Sequence, residues 1–124
     1  MLVHSELTER VIGLAISVRK QLGPGLLESI YEECLCFELA EAGIPFERQV
    51  ALPIVYRDRV LEGGFRADIV VSNVLIIEIK SVEGIHPVHE AQLLTYLRLT
   101  RHKIGLLMNF NVLRLKDGLR RFVM

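Results

Sequence analysis

The hydrophobic spacing of this chain changes period at Gly43-Ile44-Pro45, and that change constrains the fold more than any other feature. Before it, Leu7, Val11, Leu14, Ala15, Val18 and Leu22 recur at helical spacing, with Glu9, Arg10, Arg19 and Lys20 elsewhere on the wheel. The pattern predicts an amphipathic helix over about 6–22, stopped by Gly23-Pro24-Gly25. A second helix is expected over about 26–42, with Gly43 as a left-handed cap before Pro45, and the two should form a hairpin. From Phe46 the spacing is period two and rich in β-branched residues, predicting strands over 49–56, 60–71 and 74–80 in an antiparallel meander. Pro87 opens a third helix to about Arg101, and a strand resumes over 103–109. A short pair over 112–115 and 119–123, split by Asp117-Gly118, reads as a small C-terminal hairpin. The order is therefore α/β: ααβββαβ plus that hairpin.

Of the 124 residues, 51% are hydrophobic, enough for one compact domain over 1–124 with a real core and against disorder. Fifteen basic and fifteen acidic side chains leave no net charge, so nucleic-acid binding would need a local patch. No uninterrupted apolar stretch is long enough for a signal or a membrane span, and a cytoplasmic protein is expected. Cys34 and Cys36 lie two apart on a helix, point to different sides, and read as reduced thiols.

Against this background Glu78-Ile79-Lys80 is anomalous, because it closes the apolar run Val74-Leu75-Ile76-Ile77 with charge. A buried lone carboxylate is costly, so Glu78 calls for a cation: a metal ion or Lys80. On a strand, Glu78 and Lys80 share one face. Asp68 joins them only if the loop to the preceding strand is odd or a bulge intervenes. A two-residue turn at Ser72-Asn73 would set Asp68 against Ile77, whereas three residues, Ser72 to Val74, would set it opposite Glu78. Two such carboxylates form a hard oxygen site suited to Mg²⁺ or Mn²⁺. Lys80 beside it could position or deprotonate a water, which completes the parts for phosphodiester hydrolysis.

Asp68, nine intervening residues and Glu78-x-Lys80 at a hairpin resemble the core motif of the PD-(D/E)xK nuclease superfamily. Gly25-Leu26-Leu27-Glu28-Ser29-Ile30-Tyr31 is similar to the G-x-x-E-x-x-Y signature of a small prokaryotic family within it, and Gln92-Leu93-Leu94-Thr95-Tyr96 to the Q-x-x-x-Y of several branches. Ala67 stands where the motif name has proline, a position that ligates nothing. The resemblance implies a restriction-endonuclease-like core with a central mixed sheet flanked by helices. It also implies roles: Asp68, Glu78 and the Ile79 carbonyl on Mg²⁺ or Mn²⁺, Lys80 serving the attacking water, and Glu28 as a further acidic group. Gln92 and Tyr96 would orient Lys80 or a phosphate. The implied activity is a metal-dependent nuclease on DNA ahead of RNA; a catalytically silent module binding nucleic acid or a protein is the alternative. Edge strands leave room for a homodimer.

Other residues carry two readings. Glu28 can cap its helix electrostatically, and Tyr31 can simply pack with its hydroxyl bonded. His86 and His89 have ligand-like spacing, but Pro87 and the helix start favour a loop and cap role. Arg98, Arg101, His102 and Lys103 fit a helix C-terminus or a phosphate. Arg114, Lys116, Arg120 and Arg121 fit a solvated edge, and Arg66, on the same strand face as Asp68, could reach a substrate phosphate.

Overall fold

A computed structural model describes residues 4–124. Among them are three α-helices, α1 (Ser5–Leu22), α2 (Glu28–Glu41) and α3 (Pro87–Thr100). Five strands, β1 (Phe46–Tyr56), β2 (Arg59–Val71), β3 (Leu75–Lys80), β4 (Ile104–Asn109) and β5 (Leu119–Val123), form one sheet in chain order. β1, β2 and β3 run antiparallel as expected, α3 carries the chain over so that β4 lies parallel to β3, and β5 returns antiparallel to β4. The result is an α/β fold with a mixed sheet.

The two sides of the sheet are covered by different helices. Val11, Ala15 and Val18 of α1 and Tyr31, Leu35 and Leu39 of α2 pack with Ile69, Leu75, Ile77 and Leu106 on one side. Leu93 and Leu97 of α3 pack with Phe65, Val70, Ile76 and Leu107 on the other. Covered on both sides, β4 is buried at every residue, which is why Ile104–Asn109 is an unbroken apolar run until its last side chain.

The helix boundaries have identifiable causes. α2 ends as its sequence predicts: Gly43 takes φ 72, its N–H donates to the Ala40 carbonyl, and the Ile44 N–H donates to Leu39, a paired arrangement that closes the last turn. At α3, His86 Nδ1 accepts the Val88 N–H and His89 Nδ1 accepts the His86 N–H, so both histidines cap the helix around Pro87. That is the cap role their context favoured.

The small C-terminal hairpin is corrected. Residues 112–114 form no strand, and Leu115–Gly118 is a 3-10 turn. Leu115 is buried in the α1/α2 core, which pulls the segment inward and leaves Leu119–Val123 to pair with the open edge of β4. Arg121 is also not fully outward as an edge residue should be: its Nε and Nη2 are buried without a hydrogen-bond partner among the described residues.

Candidate active site

The loop between β2 and β3 has odd parity. Val71 pairs with Leu75, Val70 with Ile76 and Ile69 with Ile77, so Ser72, Asn73 and Val74 are the loop and the next step sets Asp68 against Glu78. Ser72 and Asn73 take φ 51 and 57, the left-handed conformation that a loop this tight requires. At Asp68 the ladder ends. The Ile79 N–H donates to Asp68 Oδ2 at 2.8 Å, while β3 continues beside β4 through Glu78, Ile79 and Lys80. β2 thus parts from β3 where the two carboxylates meet.

The alternation of β2 slips at the same level. Phe65 and Ala67 pack on the α3 side, whereas Ile69 and Val71 pack on the α1/α2 side, although all four are odd-numbered. Opposite the slip, Gln49 of β1 takes φ 48, and the Gln49/Asp68 step is missing from the β1–β2 register. A left-handed non-glycine residue inside a strand is a strained conformation, and it adjoins the candidate site. Because alternation fails there, Arg66 is not placed with Asp68 by strand geometry; it is exposed.

Glu78 carries the strongest electrostatic signature. Burial first, then the nearby Asp68 carboxylate, push its carboxyl up to about 8, and Lys80 opposes them. Its Oε1 is buried with no hydrogen-bond partner. Lys80 forms no ion pair among the described residues, so the cation that Glu78 calls for is not supplied by a direct contact. Asp68 is also pushed up, chiefly by burial and then by Glu32 and Glu28, while the Ile79 N–H and Lys80 pull it down.

Glu28 reaches the same place from the other side of the sheet. Gly25, at φ 94, turns the chain between the helices in a conformation open to glycine, and Tyr31 holds the turn. Its hydroxyl donates to the Gly23 carbonyl at 2.6 Å and accepts the Leu26 N–H at 3.1 Å, while its ring stacks on Phe110. Glu28 then opens α2, and its Oε2 accepts the Ser81 N–H at 3.3 Å, directly after Lys80. The Ser81 hydroxyl donates to the Leu26 carbonyl at 2.6 Å, tying the end of β3 to the start of α2. The three spaced residues Gly25, Glu28 and Tyr31 therefore form one device that delivers a carboxylate to the strand end.

Gln92 and Tyr96 are less closely engaged. The Gln92 side chain is exposed and makes no hydrogen bond among the described residues, and the Tyr96 ring stacks on Phe65 with centroids 3.6 Å apart. Neither contacts Lys80 by a hydrogen bond.

Two residues escaped the sequence reading. Glu32 is buried, and its Oε2 accepts both Nε and Nη2 of Arg48 at 3.2 and 3.0 Å. Gln49 Nε2 donates to Glu32 Oε1 at 2.9 Å and approaches Asp68 Oδ1 at 3.5 Å. The available signal was Glu28 and Glu32 at i and i+4, which puts both on one side of α2.

The donor set fits a hard divalent cation. Asp68 and Glu78 offer carboxylate oxygens, one of them orphaned, and Ile79, whose carbonyl is the third expected ligand, stands between Glu78 and Lys80 on β3. Among the described residues no group of three or more His, Cys, Asp or Glu is arranged to hold a metal, so two carboxylates and water would share the task. Mg²⁺ characteristically accepts that arrangement. The Asp68–Glu78 repulsion that raises Glu78 would become attraction to the ion.

A mixed sheet between helices, with Asp68, Glu78 and Lys80 at the point where two antiparallel strands part, defines the restriction-endonuclease-like class. The PD-(D/E)XK nuclease superfamily matches the chain over residues 5–122, and the chain belongs to that family. No curated protein and no solved structure gives a significant match.

Proposed function

We propose that this chain is a metal-dependent nuclease that hydrolyses phosphodiesters, DNA being its first expected substrate. The observation that carries the reading is the meeting of Asp68 with Glu78 through an odd loop, with the buried Glu78 Oε1 left unpartnered. Asp68, Glu78 and the Ile79 carbonyl would hold Mg²⁺ or Mn²⁺. The bound ion would supply Lewis-acid activation of the scissile phosphate and of the attacking water. Lys80, on the face of Glu78 one strand step further, orients that water and offsets the negative charge that builds on the phosphoryl oxygens. Attack forms one P–O bond, breaks the bond to the leaving oxygen, and yields a phosphomonoester and a hydroxyl.

Glu28 steadies the strand end through Ser81 and adds negative potential at the metal site. Gln92 and Tyr96 stand back from this centre, with Tyr96 bracing β2 through Phe65. The G-x-x-E-x-x-Y device supports placement in the small prokaryotic family of that signature. All three of Asp68, Glu78 and Lys80 are present, which favours an enzyme over a silent nucleic-acid-binding module.

Crystals soaked in Mn²⁺ should show an anomalous peak between Asp68 and Glu78. Purified protein should cut nucleic acid with Mg²⁺ or Mn²⁺, and Glu78→Ala or Lys80→Ala should abolish cutting while the circular dichroism spectrum is kept. A peak elsewhere, or no cleavage of duplex, single-stranded, flapped and branched substrates under both metals, would refute the reading.

A further inference from the structure

The acidic centre has a basic neighbour. Arg19 and Lys20 at the end of α1, with Arg114 and Lys116 after β4, line a cleft of about 210 Å³ together with Ile16, Leu113 and the buried Leu115. No acidic residue lines it. Lys20 and Lys116 make no ion pair among the described residues, and the Arg114 contact to Asp117, 3.4 Å long, joins two exposed side chains. An exposed pair of that kind is worth little and yields readily to a stronger anion.

Both walls of the cleft spring from the borders of the candidate site. The Phe110 N–H donates to the Lys80 carbonyl at 2.9 Å, and Leu113 follows three residues later. On the other wall, the segment after α1 supplies the Leu26 carbonyl that accepts the Ser81 hydroxyl. Arg19 joins the walls: its Nε donates to the Val112 carbonyl at 2.6 Å and its Nη2 to the Leu113 carbonyl at 2.8 Å. This clamp fixes the backbone beneath Leu113, whose side chain is 87% exposed, more than any other large hydrophobic of the described residues. An apolar side chain held out from a fixed loop among four cations is not explained by packing.

Resting on the nuclease reading, we propose that this cleft grips the substrate strand as it leaves the metal site. Lys20, Arg114, Lys116 and the outer edge of Arg19 contact successive phosphates, and Leu113 with Ile16 receives the face of an unpaired base. Every base has an apolar face, so such a contact tolerates any sequence. A duplex keeps those faces stacked, so the cleft favours a single-stranded or frayed segment. The formal charges cancel over the whole chain, so attraction to phosphate must come from a local cluster such as this one.

The test is fluorescence anisotropy in chelator, where nothing is cut, with a labelled single strand and a blunt duplex of the same sequence over a range of salt. Lys20→Ala/Lys116→Ala should weaken single-strand binding by about tenfold and flatten the salt slope by about 1.4, two contacts at about 0.7 each. Leu113→Ser should reduce the preference for single strand over duplex and leave the salt slope unchanged. Both variants change exposed residues, and both should take up Mn²⁺ as the parent does by calorimetry. Unchanged affinity and slope in the double variant, with a parent that binds and cuts, would overturn the cleft assignment alone. A labelled acidic peptide with a central leucine that binds the parent and not the variants, while the oligonucleotide binds all of them, would make the cleft a protein-docking site and overturn it too. A parent that neither binds nor cuts any nucleic acid would remove the nuclease reading, and the inference with it.

Discussion

Replacing Glu78 by glutamine should make the metal-free protein more stable, and the size of the gain can be worked from the carboxyl's surroundings. Its pKa rises from 4.5 to about 8 on folding, through burial and then through Asp68. A raised folded value means the favourable state is the protonated one. Its contribution is fully present below 4.5 and is lost as pH rises from there through about 8. At about 1.4 kcal/mol per pH unit, the cost reaches about 3 kcal/mol at pH 7 and levels off near 5 kcal/mol above pH 8. Glutamine keeps the shape, removes the titration and can donate to Asp68, but it still buries an amide. The expected net gain is therefore about 2 to 3 kcal/mol at pH 8, or on the order of 10 °C in Tm for a domain of this size.

The assay is urea unfolding of parent and Glu78→Gln in chelator at pH 5, 6, 7 and 8. The variant should be weaker by about 1 kcal/mol at pH 5, match the parent near pH 6 and exceed it increasingly at pH 7 and 8. Saturating Mn²⁺ should then stabilise the parent and leave the variant almost unmoved, because the nuclease reading has the Glu78 carboxylate hold the ion in the folded state. A variant equal to or weaker than the parent at pH 8, or a difference that stays flat from pH 5 to 8, would refute the reasoning.

Burial raises the Cys36 thiol from 9.0 to about 11, so stability should fall as pH climbs through that window, by about 1.4 kcal/mol at pH 10; Cys36→Ala unfolded at pH 8 and 10 should lose that dependence. Gly43→Ala should cost about 1 kcal/mol in urea unfolding, since φ 72 is left-handed and no contact otherwise crowds the site. Arg48→Ala leaves the buried Glu32 carboxylate without its guanidinium and should cost about 2 kcal/mol; Glu32→Gln in the same chain should restore part of that loss.

Most of the fold is legible because local rules and burial agree. The α1 spacing, the Gly43 cap and the period-two strands each state their structure within a few residues. The Val112–Leu115 strand fails because local spacing cannot report that Leu115 is needed in a core built by α1 and α2, far earlier in the chain. At the site, loop parity was a question that sequence could pose and only the Val71–Leu75 pairing could answer. Glu32 and Gln49 stayed hidden for a related reason. Their link to Asp68 depends on a left-handed residue in mid-strand and a slip in β2 alternation, and strict period two predicts neither.

The balanced net charge acquires a different meaning once the charges are placed. Glu28, Glu32, Asp68 and Glu78 gather around the end of β3, while Arg19, Lys20, Arg114 and Lys116 gather around the loop that leaves β4 beside it. A uniform basic coat would draw nucleic acid strongly, but it would also repel the divalent cation. On the nuclease reading, segregation would allow both: the carboxylates would attract the ion, and the separate cluster of cations would attract the phosphates. An acidic centre facing a phosphate strand without bound metal is repulsive, so metal uptake should precede and strengthen strand binding at the site while leaving contacts in the cleft unchanged. In parent protein, added Mn²⁺ should therefore tighten binding of a phosphorothioate oligonucleotide that resists cutting, and in Glu78→Gln it should not. Equal tightening in both would separate strand binding from the carboxylate pair and undo the coupling argued from their placement.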